Sequence, residues 1–588
     1  MIAIGGVIGA GLFVGSGVVI NEAGPGAFLT YAITGVVIIM VMRMLGEMAT
    51  ANPSTGSFAD YAREALGGWA GFSVGWLYWY FWVIVVGFEA VAGAQVLRYW
   101  FDAPLWLLSL ILMALMTATN LFSVSSFGEF EFWFAGIKVA AIMVFIVLGG
   151  LFAFGLWPNT SMNFTNLTAY GGFFPNGVGT IFSAIVVVIF SMVGAEVATI
   201  AAAESPNPEQ AITKATNAVI MRVGLFFVGA VFLLAVIVPW NSTELGASPF
   251  VSAFTTMGIP YADQIMNAVV ITAVLSCLNS GLYTASRMIF VLAARREAPM
   301  ALIRVNKRGV PMGAILLSSV VGFLCVIASA VSPDRVFLFL LNSSGAIILF
   351  VYLLISISQF VLRRRTSPEK LRVKMWFFPV LTIATIVAIV AVLLQMLFEP
   401  EVRSQFLLSL LSWAIVVALY FLVARRRKPE TEAVPAPTGE AKRVLVLANE
   451  TLPADELMEE LRQIDRTGEA TYRLCVPANP IDTGQAMHKG AVYLWESTAR
   501  AAQERLDYML SAMKAEGLTV DGELGDYRPL RALADAVGSF NPDQIVVATL
   551  PIEESQWLRF DVVDSARSSY DIPVNHVVTR PKAELPGG

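Results

Sequence analysis

The sequence predicts an α-helical membrane protein of twelve transmembrane helices built as a five-plus-five inverted repeat, followed by a soluble α/β domain with a parallel sheet. Three observations carry that prediction. Hydrophobic residues make up 56% of the 588 and charged residues only 14%, against roughly a quarter charged in a soluble chain. Residues 2 to 424 break into apolar runs of bilayer length, about 20 residues being what a helix needs to cross ~30 Å of hydrocarbon. Past residue 428 the pattern changes to short β-rich runs alternating with polar helical stretches.

In chain order the spans are 2–21, 26–48, 72–97, 105–123, 132–156, 181–201, 219–239, 264–292, 312–332, 336–361, 375–397 and 405–424. The first opens at Met1-Ile2-Ala3 with no charge ahead of it. It is no secretory signal, lacking the basic stretch and cleavage site; because an inward terminus normally carries some charge, the sequence is expected to begin within a longer reading frame.

Orientation follows from the Lys/Arg content of short loops. Arg287, Arg295, Arg296, Arg304, Lys307 and Arg308 surround the loop between spans eight and nine, and Arg363, Arg364, Arg365, Lys370, Arg372 and Lys374 the loop between ten and eleven. These face the cytoplasm. The alternate loops carry nothing positive, or only Arg98, Arg335 and Arg403. The expected product is a multi-pass protein of the cell membrane, bathed in membrane lipid, with both termini cytoplasmic.

The membrane part is expected to occupy 1–428, a Pro-rich polar linker 429–441, and the soluble domain 442–580. Within the last, strands are expected at 443–448, 471–477, 544–548 and 574–578, and helices at 453–464, 496–516, 528–540 and 561–570. Strands alternating with helices argue for a parallel sheet. Through residue 424 there are 20 Lys+Arg and 18 Asp+Glu, and from 425 onward 19 and 26, so the acidic excess belongs to the tail.

Composition excludes several classes. Two histidines and the scattered Cys277, Cys325 and Cys475, with no C-x-x-C pair, offer no metal site and no disulfide framework. His488 and His576 stand beside no nucleophile motif, so no enzyme is expected. No nucleic-acid partner is expected either.

Two membrane spans are interrupted. Gly5, Gly6, Gly9, Gly11, Gly15 and Gly17 crowd the first. Small residues there can serve close packing alone. The sharper reading is a break near Ile8-Gly9-Ala10-Gly11, where bare backbone N–H groups point at a ligand carboxylate. Span six has a second candidate break at Phe190-Ser191-Met192-Val193-Gly194-Ala195-Glu196. Spans one and six open two consecutive sets of five, the spacing of an inverted repeat that holds its substrate at the midplane.

Charges inside spans are functional hypotheses by default. Lys138, well within span five, is read as a proton-carrying lysine, the alternative being a snorkelling or structural one. Glu89 in span three and Glu47 near the inner end of span two are open between transport and interfacial solvation. Trp76, Tyr78, Trp79, Tyr80, Phe81 and Trp82 make span three an aromatic slab, mostly packing, with some members able to line a cavity.

Several of these runs resemble one family. Ile4–Phe13, Gly75-Trp76-Leu77-Tyr78-Trp79-Tyr80, Gly194-Ala195-Glu196 with Ala201–Ser205, and Leu275–Arg287 are similar to the bacterial amino acid permeases of the amino acid, polyamine and organocation superfamily. The run Gly194–Asn217, Pro239-Trp240-Asn241 and Asn342-Ser343-Ser344-Gly345-Ala346 are most similar to its γ-aminobutyrate permeases. The resemblance implies a proton-coupled importer that binds an amino acid between spans one and six. It implies a substrate carboxylate at the N–H groups of Gly9, Ala10 and Gly11, and an amino group at carbonyls near Ile8, Phe190, Ser191 and Val193. It places proton coupling on Lys138 and Glu196, with the proton gradient as energy source and no cofactor. The family's members have a segment before the first span that is missing here, and its γ-aminobutyrate permeases end soon after span twelve.

The tail resembles a universal-stress-protein domain. The nucleotide-binding form of that fold needs glycines after its fourth strand, and Thr549–Trp557 has none, so no ATP binding is expected there. The expectation is therefore an importer of γ-aminobutyrate or a similar small amino acid. The alternatives are a carrier of aromatic or branched amino acids, or a nutrient sensor signalling through a tail whose partner is unknown.

Overall fold

A computed structural model describes residues 8–51, 57–122, 125–158, 160–196, 208–242, 245, 248–294, 297–303, 310–365, 371, 373–400, 402–426, 442–448, 455–464, 470–477, 490–525, 529–549, 562–570 and 572–579. The chain divides into two compact units, Met1–Arg426 and Arg427–Gly588.

Among the described residues of the first unit ten helical stretches are long and apolar enough to cross a membrane. Ala10–Ala51 covers two expected spans, joined by the 3-10 turn Gly24–Gly26, and Thr180–Met192 is a shorter apolar stretch where span six was expected. Among the described residues each of the twelve expected spans thus falls at least partly on helix, though several ends differ. Span five runs Ser125–Ala153 rather than 132–156, because Gly155 adopts φ +71 and stops the helix. Span seven begins at Pro208, the proline sitting at the first helical position, and passes through a π-helical stretch, Val223–Gly229, before ending at Ile237.

The third span, Gly68–Leu97, is the axis of the unit. Of its most apolar stretch 83% is buried, against 17% for span twelve, Arg403–Leu422, which leaves most of that helix to lipid. Span three packs along span eight, Ala262–Ala294, and against span nine, Met312–Val331, and span ten, Pro333–Arg365. Because lipid is as apolar as leucine, close fit and polar ties hold these helices together.

One tie forms near the C-terminal end of span two, beside the Arg-rich end of span ten. Glu47 accepts Gln359 Nε2 at 2.7 Å, Arg363 Nη1 at 2.9 Å and the Met375 N–H at 2.5 Å, joining spans two and ten to the segment before eleven. This buried carboxylate is a structural clasp, which the interfacial reading of Glu47 did not include.

The second unit is a five-stranded parallel sheet in the order β3-β2-β1-β4-β5, with β1 Arg443–Leu447, β2 Thr471–Pro477, β3 Thr519–Gly525, β4 Gln544–Thr549 and β5 Val574–Val578. Alternation along the central strands buries both faces. Val444 and Val446 pack on Leu457, Leu461, Leu506 and Met509, while Leu445 and Leu447 pack on Leu533, Ala536, Val562 and Ala566. Helices cover both sides, as a parallel sheet requires.

Strand β3 is a correction to the sequence reading. Thr519-Val-Asp-Gly-Glu-Leu-Gly carries two glycines and two acids, and only Val520 is buried, because this is an edge strand paired along one side alone. The residues expected to lack phosphate-cradling glycines, 550–557, lie outside the described residues, as does His488.

Candidate functional site

The opening of span one is irregular. Gly9 is extended (φ -131, ψ -153), the helix Ala10–Phe13 follows, and Val14 interrupts it before Gly15–Ala23. Residues ahead of Ile8 lie outside the described residues. Span six breaks where its sequence promised: Ile185–Met192 ends at Val193 (φ -64, ψ 152), and Gly194 takes φ +106, a conformation L side chains avoid.

The two interruptions touch. A Cβ on Gly11 would lie 2.8 Å from Ser191 Cα, and one on Gly9 would lie 2.5 Å from Glu89 Oε1 and 2.8 Å from Cys277 Sγ. Glycine at these positions lets span one press against spans six, three and eight. Between them is a small cavity of about 20 Å³, partly open and with room for about one water, lined by Gly9, Gly11, Phe81, Trp82, Val85, Glu89, Phe190, Ser191, Val193 and Cys277.

Five of the seven residues expected to bind substrate, Gly9, Gly11, Phe190, Ser191 and Val193, are therefore brought together around one cavity. Ile8 and Ala10 are buried beside it. The Ala10 N–H, expected to face a substrate carboxylate, donates to Glu89 Oε1 at 3.1 Å and Oε2 at 3.2 Å. The Phe190 carbonyl accepts the Val193 N–H at 3.3 Å.

Lys138 and Glu196 lie outside this lining. Lys138 is fully buried, within electrostatic reach of Glu131, Cys277 and Glu89. Glu196 folds back on the break it follows: its oxygens accept the Gly194 N–H at 3.2 and 3.1 Å, Tyr78 Oη at 3.1 Å and Tyr352 Oη at 3.2 Å. Spans three, six and ten meet on this one carboxylate.

Sequence reasoning left Glu89 open, read Phe81 and Trp82 as part of an aromatic slab of which some members could line a cavity, and did not place Val85, Cys277 or Glu131. A signal existed for part of this. Trp82, Val85 and Glu89 follow at i, i+3 and i+7, one face of a helix. For Cys277 and Glu131 no local signal existed, since their neighbours lie on other spans.

A mainly apolar gap with a few converging polar groups, set between two broken helices, offers partners to a small ligand charged at both ends only once it widens. A family model described as amino acid permease matches residues 1–433. The chain belongs to the amino acid permease family. Among its relatives, a γ-aminobutyric acid permease of Bacillus subtilis is 51% identical over 442 residues, covering 74% of this chain and 94% of the relative. One of Escherichia coli is 44% identical over 433 residues, covering 73% and 93%. An aromatic amino acid transport protein of Corynebacterium glutamicum is 38% identical over 429 residues, covering 72% and 93%. The permease is thus a multi-pass membrane transporter of amino acids, and its relatives are carriers rather than enzymes.

Proposed function

We propose that the protein imports γ-aminobutyrate, or an amino acid of similar size, by alternating access, driven by the proton gradient with no cofactor. The observation that supports this most strongly is the 51% identity to a γ-aminobutyric acid permease along 94% of that relative. The cavity between the two breaks adds the chemistry. The substrate carboxylate takes the N–H groups of Gly9, Ala10 and Gly11, displacing Glu89 from Ala10. Glu89 and the carbonyls near Ile8, Phe190, Ser191 and Val193 then meet the ammonium. A zwitterion in lipid needs both charges matched, and unsatisfied ones cost several kcal/mol.

The gradient acts through two centres. Lys138 sits in the buried charge cluster behind span one. Glu196 ties the span-six break to Tyr78 and Tyr352, so a change in its protonation alters how firmly that break is held. Loops rich in Lys/Arg support cytoplasmic termini and a cytoplasmic tail. The permease is assigned to 1–428 and the tail to 442–580, joined by 429–441.

The test is a radiolabelled uptake panel in proteoliposomes, with and without a pH gradient, using γ-aminobutyrate, phenylalanine and leucine. γ-Aminobutyrate should accumulate only with the gradient, and Lys138→Ala should bind it yet lose accumulation. Preferential uptake of phenylalanine or leucine would overturn the substrate reading, and unchanged accumulation by Lys138→Ala the coupling reading.

A further inference from the structure

The substrate cavity does not account for every charge buried in the membrane unit. Glu131, on span five two helical turns before Lys138, is 0% exposed. Both of its carboxylate oxygens accept the Ser276 hydroxyl of span eight, at 2.9 and 2.8 Å. Ser280, one turn along that span, offers it a second hydroxyl. Among the described residues Lys138 is the cation in reach, and it is also in reach of Glu89. Among the described residues, the titratable groups coupled to Glu131 are Lys138 on its own span and Cys277 on span eight, with Glu89 of span three joined through Lys138.

Among the described residues two carboxylates therefore share one ammonium, which, with both carboxylates ionised, leaves one negative charge in excess. Water in an open cavity can solvate it. A zwitterionic substrate displaces that water and brings equal and opposite charges of its own, so it cancels nothing. An uncompensated charge shut away from water costs several kcal/mol, and enclosing the substrate then calls for one added proton.

The two carboxylates are not equivalent hosts. Glu89 accepts a main-chain N–H, which can only donate and is served best by a charged acceptor. Glu131 faces hydroxyls, which donate to a carboxylate or accept from a carboxylic acid after one bond rotation.

We propose that Glu131 carries the coupling proton of this centre, with Lys138 as the fixed cation between it and Glu89. This rests on the proton-coupled reading above and assigns the proton an atom. As substrate is enclosed from the outer side, a proton from water forms an O–H bond on one Glu131 oxygen. The new acid donates to Ser276 Oγ, whose own hydrogen swings away. When the cavity opens inward that O–H bond breaks, and the proton leaves to water with the substrate.

The full chain in proteoliposomes, with radiolabelled γ-aminobutyrate, tests this in wild-type, Glu131→Gln and Glu131→Asp forms. Glutamine stands in for the protonated acid. Glu131→Gln should exchange labelled for unlabelled substrate within about threefold of wild type, at a rate that no longer varies with pH, while accumulation against a pH gradient falls at least about tenfold. Glu131→Asp should keep both activities. Wild-type accumulation by Glu131→Gln overturns the proposal. Should Glu131→Gln fail to reach the membrane, Glu131→Asp decides: a displaced pH profile of accumulation supports the assignment and an identical one overturns it. A wild-type protein that exchanges γ-aminobutyrate but ignores the gradient would instead refute the proton-coupled reading itself.

Discussion

The Glu89 carboxylate of span three holds the Ala10 amide at the opening of span one, at 3.1 and 3.2 Å, from within the wall of the substrate cavity. A protein carboxylate thus occupies a main-chain donor that, in the binding mode proposed above, the substrate carboxylate takes over, leaving the displaced Glu89 to face the ammonium.

That relationship predicts a charge-specific defect. Glu89→Gln keeps an oxygen to accept from Ala10 but loses the negative charge. It should raise the KM for γ-aminobutyrate at least about tenfold, a charged hydrogen bond contributing roughly 1.5–3 kcal/mol. Butyrate, which has no ammonium, should compete equally well against both proteins. Inhibition constants measured for the two ligands check this. Equal loss for both would mean that Glu89 only shapes the wall.

Contact between the breaks predicts a second outcome. Gly11→Ala puts a methyl 2.8 Å from Ser191 Cα, a backbone atom that cannot turn aside. Overpacking of this kind costs about 1–3 kcal/mol, and here the strain falls on the cavity wall. Uptake per inserted molecule should drop at least about tenfold, close to what ~1.4 kcal/mol produces. Gly136→Ala on span five is the control, since a methyl there meets nothing within 4 Å. A Gly11→Ala protein that transports normally would show that spans one and six can separate without harm.

Most of the membrane unit was legible because bilayer thickness imposes a length on every apolar run, and a run can be read without knowing its neighbours. The breaks were legible for a related reason: glycine at Gly9, Gly11 and Gly194 and an acid at Glu196 contradict the local pattern. What could not be read is tertiary. Glu131 acquires meaning only from Ser276, 145 residues away, and Glu89 only from Ala10, 79 residues away. Edge strand β3 escaped because an edge position relaxes the demand for alternating burial. Helix ends moved by several residues where Pro208 and Gly155, rather than hydropathy, set the stop.

Glu196 supplies the last prediction. Its four acceptor contacts, to Gly194, Tyr78 and Tyr352, tie the span-six break to spans three and ten. Tyr352→Phe removes one donor from a buried carboxylate, which should cost about 1.5–3 kcal/mol. The melting temperature in detergent should fall by a few degrees. Tyr78→Phe should behave alike, and the double variant should depart from the sum of the two, because both hydroxyls serve one acceptor. If Glu196 also takes part in coupling, losing a donor changes the balance between its protonated and ionised forms. The pH profile of γ-aminobutyrate exchange should then shift along with stability. A lower melting temperature with an unmoved profile would leave Glu196 as a mechanical tie across the break and confine proton coupling to the centre around Lys138.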